Sequence, residues 1–525
     1  QLGSTLLRFK MGDAEVKFVV TTLKFKACPY RVKLFGVSVK PVSFATATVS
    51  ISVLVQAIFF FSLSAMGDFG PYRKMILLQG AFAGGLGCMS YIFLTDPANH
   101  EIAAYVMIMI GTALGTSIVM YNSYIPELTR SHPEFLQVME DYKNKKGAFS
   151  SGQAKTELLV STYTDAMDRI SGTGQIWGYM GGCLLIIVTA VVVVMIGFHN
   201  ILNAIAVAMF VQGVWWCLFT MPTVLHIRKR AGPPLPGSQN ILNFVWFSLK
   251  RSIATLRAVQ HIPQTRNFMI AYFLYTDAVS TISQAGVIFA VDELGMQLSD
   301  FLILVFVAPF MAMLGMKATL WYRRKYKLST KEVLVRSLCI YTFVSFWGIL
   351  GFSGVIGYVY AWELFVIIPL YGGFLAVYES TSRALFCELV PPGQEAEFFG
   401  IYEISDKGSS WIGPMVVAVL YDRFGSVRYA FLYLFLACIV SIVILKKFVD
   451  VETGSLDCRN KKNLLQMDKI REKFGVSKKQ IQAEIKKRKK LGSSVASSNA
   501  SSAVSTRSSQ SSVERRSSHS SVQRS

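Results

Sequence analysis

Charge is scarce in this chain, and acidic charge is the scarcer sign. Of its 525 residues only 16% are charged while 52% are hydrophobic, a balance that a soluble globular protein does not need. Lys and Arg number 53 against 32 Asp and Glu, a formal net charge of +21 that in a soluble protein would point to nucleic acid. Here the basic residues gather between apolar runs and in a polar tail, which suits a bilayer with anionic lipid and removes nucleic acid as an expected partner. The six histidines form no metal-ligand pattern. Eight cysteines, Cys28, Cys88, Cys183, Cys217, Cys339, Cys387, Cys438 and Cys458, lie scattered without a Cys-x-x-Cys pair, so neither a metal site nor a disulfide framework is expected. A Walker loop and a Gly-x-Ser-x-Gly elbow are both missing, which argues against an ATP-driven pump, an enzyme and a cofactor.

Long apolar runs are what the chain has in quantity. Candidate spans cover about 44 to 66, 75 to 95, 102 to 122, 175 to 197, 200 to 221, 268 to 291, 300 to 321, 334 to 353, 358 to 378, 398 to 420 and 427 to 446, eleven in all. At about 1.5 Å per residue each can cross a hydrocarbon core of about 30 Å. Loop charge then orients them. The connection from Pro222 to Arg266 holds Arg228, Lys229, Arg230, Lys250, Arg251, Arg257 and Arg266 with no acidic residue, and Trp321 to Lys331 holds Arg323, Arg324, Lys325, Lys327 and Lys331. Connections 96–101, 197–200, 292–300 and 353–358 have no Lys or Arg, so the basic loops and the C-terminal tail are expected in the cytoplasm.

These features divide the chain into a basic atypical segment 1–41, an N-terminal helical bundle 42–221, a basic cytoplasmic linker 222–266, a C-terminal helical bundle 267–446 and a disordered, basic and Ser-rich tail 447–525. In the linker, Gly232 to Pro236 reads as a stiff spacer. Asn240 to Gln260, with Trp246, Phe247, Leu249, Ile253 and Leu256 among basic residues, suits either an interfacial helix or a plain connector. In the tail, Arg515-Arg516-Ser517-Ser518 fits a basophilic kinase site.

Ionisable groups inside spans are the first functional candidates. Asp277 lies well within an apolar segment and Glu363 early in another, near enough to its end to be interfacial. A carboxylate at depth costs about 2.5–3.5 kcal/mol on insertion scales, so Asp277 is expected to face a cavity, pair or take up a proton. A carboxyl that stays neutral until it meets an acidic compartment is the physical basis of proton coupling, against which stands a structural hydrogen-bonding role. A second signal is an internal echo. Ile170 to Trp177 and Ile404 to Trp411 share Ile-Ser-x-x-Gly-x-x-Trp, and each opens a span, as expected of a transporter built from two related halves. The third is the stretch from Glu379 to Pro414, which packs eight charged side chains between two apolar spans. Pro391, Pro392 and Gly393 end the helix before it.

At this stretch the chain resembles the autophagy-related protein 22 family of vacuolar membrane permeases, a branch of the major facilitator superfamily. The resemblance rests on Ser382 to Phe386, Leu389 to Gly393 and Glu403 to Pro414, extends more loosely from about Val49 to Lys446, and departs at Glu379, where glutamine is usual. It implies an all-α, two-bundle carrier on a twelve-helix plan. Relatives begin with a membrane helix where 1–41 lies, so the first helix is expected to be missing or aberrant, as a lost exon, a fusion or a truncated record would leave it; a natural basic arm is the other reading. Gly67 to Lys74 resembles the loop in which Asp68 and Arg73 would brace a gate, while Glu379, Arg383, Asp406 and Lys407 would close the cytoplasmic mouth as a neutral cluster. Asn122 occupies the equivalent end in the first half, and Tyr121, Trp177, Tyr275 and Trp411 are candidates for the path. The implied substrate is a small molecule, an amino acid, moved from the vacuole or lysosome to the cytosol after autophagic breakdown; a proton as the coupled ion is the expectation that a buried carboxyl such as Asp277 raises. A non-transporting receptor or scaffold, recruiting partners through the basic loop and tail, is the rival expectation.

Overall fold

The computed structural model describes residues 3–11, 14–22, 32–34, 37–39, 41–143, 152–196, 201–227, 241–296, 298–391 and 393–459. The spacer Gly232 to Pro236 and the polar tail beyond Arg459, with its Arg-Arg-Ser-Ser stretch, lie outside them. In the N-terminal segment the described residues form two antiparallel hairpins, β1 (Gly3–Met11) with β2 (Ala14–Thr22) and β3 (Val32–Leu34) with β4 (Val37–Val39).

Helices make up the rest. The first group is α1 (Pro41–Leu63), α2 (Tyr72–Ser90), α3 (His100–Arg130), α4 (Pro133–Lys143), α5 (Gly152–Ile196) and α6 (Ile201–His226). Helix α7 (Ile241–Val259) follows in the linker. The second group is α8 (Pro263–Asp292), α9 (Leu298–Tyr326), α10 (Thr330–Leu350), α11 (Ala361–Glu388), α12 (Glu395–Ser409), α13 (Ile412–Phe424), α14 (Arg428–Phe448) and the short α15 (Val451–Arg459). A helix satisfies its own backbone, which is why apolar runs in a bilayer take this form. Among the described residues nine helices are long and apolar enough to cross a membrane. The other two expected spans are occupied by α8, which carries Asp277, and by the α12–α13 pair.

That pair corrects the single span read at 398 to 420. The helix breaks at Ser410 and Trp411, so that Pro414, which has no amide to donate, falls in the first turn of α13, and the Gly413 N–H of that turn goes to the Asp277 carboxylate at 2.9 Å. Its echo in the first half, Ile170 to Trp177, runs through α5 without interruption.

Within the first group α2 packs on α3 and α6, and α1 on α3; within the second, α9 packs on α11 and α8 and α10 on α14. Small residues permit the close crossings: a Cβ on Gly315 of α9 would fall 1.8 Å from the Gly373 carbonyl of α11. The two groups meet through α5 with α9 and α11, α12 with α3 and α1, and α11 with α3. Among the described residues, the hydrogen bonds between them gather toward the end that carries the basic loops, and none involves α5 beyond Tyr179. Past that level side chains of α5 such as Val191 and Met195 are exposed, 53% and 81%. The hydrogen bonds between the two groups are therefore concentrated at the basic end.

Candidate functional site

The closed end is built first from charge. After α1 a 3-10 turn, Ala65–Asp68, presents Asp68 to the start of α12. Its carboxylate accepts the amides of Ala396 and Glu397, both at 3.0 Å, and the Arg73 guanidinium at 2.8 Å. The first turn of a helix has amides without partners and a positive dipole end, so a carboxylate there is doubly suited. Arg73 also donates to Glu127 at 2.9 Å and to the Gly67 and Ser123 carbonyls. Glu395 completes the set, 2.7 Å from Arg130. Burial pushes the Glu395 carboxyl up, but Arg130 and Arg73 outweigh it and hold it down at about 2, so it is ionised at any physiological pH.

A second clamp joins α5 to α9. Arg323 donates to Asp165 at 3.0 Å and pairs with the buried Asp168, which also accepts from Thr330 at 2.6 Å. Close packing backs both clamps: a Cβ on Gly400 would meet the Ser64 Cβ at 2.4 Å, and one on Gly172 the Met316 Cε at 2.3 Å.

Inward of the clamps, Arg383 donates to the Asn122 side-chain carbonyl at 3.2 Å and Asn122 donates to Glu403 at 2.9 Å, so an asparagine of α3 bridges α11 and α12. Arg383 meets Glu379 through the Glu379 backbone carbonyl at 3.1 Å, while Lys407 pairs with its neighbour Asp406 at 3.0 Å and Tyr272 donates to Asp406. The direct hydrogen bonds of the four charges thus fall into two sets, Arg383 pointing at Asn122 and Asp406 tied to Lys407 and Tyr272, while Glu379 remains within electrostatic reach of the other three.

Next along α11 is a cavity of about 350 Å³ between α5, α9 and α11, lined by Gln175, Gly178, Tyr179, Gly182, Ile186, Pro309 and Glu379. Glu379 is its one charged wall. Its Oε2 accepts from Gln175 at 2.6 Å and from Tyr179 at 3.3 Å, both on the opposite group. The lining has no cation to face it. Gly178 and Gly182, a turn apart on α5, leave the space that larger side chains would fill.

The remaining candidates lie elsewhere. Asp277 is 2% exposed and accepts from Gly413 and, at 2.6 Å, from Tyr433, which ties α8 to α13 and α14 inside the second group. Glu363, read as interfacial, is 3% exposed: it accepts five hydrogen bonds, from Trp347 and the amides of Gly357, Tyr358, Val359 and Tyr360, and so organises the α10–α11 turn. The backbone makes that nest possible by taking positive φ at Gly357 and Tyr358. Tyr275 is buried and donates to Ser382 at 2.7 Å. Trp177 and Trp411 are 64% and 56% exposed, and Tyr121 46%.

Sequence reading gave no role to Glu395, Glu397, Glu403, Arg130, Asp165, Asp168, Arg251 or Arg323 in these clamps. A signal did exist for three of them. Asp165 and Asp168 stand three residues apart at the mouth of a span, and Arg251 lies in a loop without any acid, so its partner had to come from a distant element.

Two groups of membrane helices, clamped at one end and with an open cavity between α5, α9 and α11, have the major facilitator fold. The proton:xylose symporter XylE bound to 6-bromo-6-deoxy-D-glucose aligns at a TM-score of 0.50 with 15% identity, covering 78% of this chain and 87% of that one. The human organic anion transporter MFSD10 (TETRAN) also aligns at 0.50 and 15%, covering 77% and 84%. The chain belongs to the family described as vacuole effluxer Atg22 like, which matches residues 21–459. Autophagy-related protein 22 of Coccidioides immitis is 31% identical over 466 residues, 81% of this chain and 75% of its own, and that of Gibberella zeae 30% over 466 residues, 80% and 70%. It is a multi-pass membrane protein of an autophagy-linked transporter family.

Proposed function

We propose that this chain exports amino acids from the vacuolar or lysosomal lumen to the cytosol after autophagic breakdown of protein. The observation that carries the reading is the cavity at Glu379. Its volume falls in the range of small-molecule sites, and its carboxylate has one oxygen engaged by Gln175 and Tyr179 while the other has no donor among the described residues. A solute ammonium is the complement of that oxygen, since a carboxylate in an apolar wall is stabilised by an opposite charge. With the basic loops on the cytosolic side, the clamped end becomes the cytosolic gate of this reading and the Glu379 cavity lies on its lumenal side. Asp277 carries the coupled proton: neutralising it weakens its bonds to Gly413 and Tyr433 at the α12–α13 break, the hinge of the second group.

Full-length protein in proteoliposomes loaded with labelled amino acids tests this directly. Wild type is expected to exchange them and to concentrate them when a proton gradient is imposed. Asp277→Asn should keep exchange and lose gradient-driven accumulation. A folded wild type without flux would sink the carrier reading and favour a scaffold.

A further inference from the structure

Helix α7 has its polar side turned inward. Ser248, Arg251, Ser252 and Thr255, at positions i, i+3, i+4 and i+7, form one stripe, and all are at most 1% exposed. Its outward side carries Trp246, 58% exposed, with Lys250 over the ring at 5.2 Å. This inverts the arrangement expected of a helix lying on the membrane surface, so the linker does more than join two halves.

The stripe reaches both groups. Toward the first, Ser252 hydrogen-bonds Ser64 at 3.3 Å and the Arg251 guanidinium lies 4.7 Å from the centre of the Phe69 ring. Toward the second, Arg251 donates to Glu397 at 3.0 Å, and Thr255 bonds the other Glu397 oxygen. Glu397 is fully buried and is the residue whose backbone amide Asp68 accepts. One residue of α12 is therefore held through its backbone by the gate loop and through its side chain by the linker.

We propose that α7 is a bolt on the cytosolic gate, with Arg251 as the positioning residue that fixes α12 against α1. The proposal rests on the alternating-access reading above. Opening toward the cytosol moves α12 away from α1, and α7 packs chiefly on α1 and the turn after it. The Arg251–Glu397 pair must then break in every cycle. A buried pair is well suited to such a step, because it adds little net stability when intact but strongly penalises the state in which one charge is left alone.

The test uses full-length protein with its native cysteines replaced and one reporter thiol at a time. Ser171→Cys reports the shut end, where Ser171 bonds Ser380 between the groups, and Ile186→Cys reports the cavity. With Arg251 and Glu397 unchanged, a polar thiol reagent should modify Ile186→Cys quickly and Ser171→Cys slowly. Arg251→Ala should speed the reaction at Ser171→Cys at least fivefold and slow it at Ile186→Cys. The combined Arg251→Met and Glu397→Leu change, which removes both charges and keeps the volume, should restore the original order. Unchanged rates would overturn the bolt, and so would acceleration at both reporters together, which reports a helix needed only for folding. These rates do not depend on which solute is carried, so a failure of the amino-acid assignment leaves this test standing.

Discussion

Asp68 is the residue on which most of the closed end converges, and it shows what one carboxylate can do when its partners arrive from both groups. Removing it as Asp68→Ala strands the buried Arg73 among fewer acids and uncaps α12; breaking a buried ionic set in this way costs about 3–5 kcal/mol, to be read as earlier thermal unfolding of the purified protein. Asp68→Asn keeps one acceptor and should fall between. Glu395 gives a pH-dependent counterpart. Its pKa is lowered from the usual 4.5 to about 2, so its stabilising effect is fully present above about 4.5 and disappears as pH falls toward 2. Thermal stability of wild type and Glu395→Gln should therefore converge as pH falls from about 4.5 toward 2. Convergence already at pH 6 would contradict the ion-pair assignment.

Among the elements, the α12–α13 break is the part that sequence pattern alone could not place. The span read as continuous from 398 to 420 is split, and the partner of the Gly413 amide at the split, Asp277, comes from the distant α8. The same limit hid the bolt, because Arg251 and Glu397 are 146 residues apart and nothing local to Arg251 marks its side as buried. The helices themselves were legible: their apolar runs are continuous, and a chain in lipid has no other way to satisfy its backbone. Gly413→Ala tests the break. A Cβ there would sit 1.7 Å from the Thr281 Oγ1, so α13 must move off α8 at a cost of about 1–3 kcal/mol, seen as lower thermal stability. Thr281→Ala in the same protein should recover part of that loss.

Taken whole, the molecule is two groups of helices whose mutual contacts are concentrated at one end, with the basic loops, the gate turn and α7 all on that side. The apolar runs of the helices and the distinctive Glu379 to Pro414 stretch were legible in the sequence. It also named Asp68, Arg73, Glu379 and Arg383, which the structure sets along the boundary between the groups, while Glu363 and Tyr275 sit in packing roles that a list of buried polar residues cannot separate from function. Depth is what distinguishes them, and depth follows from the fold. The measurement that tests the account most directly is competition for labelled amino-acid uptake by two truncated analogues, one keeping the ammonium without the carboxylate and one keeping the carboxylate without the ammonium. The amine should compete against wild type and lose that ability in Glu379→Gln; competition by the acid alone, unchanged by Glu379→Gln, would contradict the role given to the cavity.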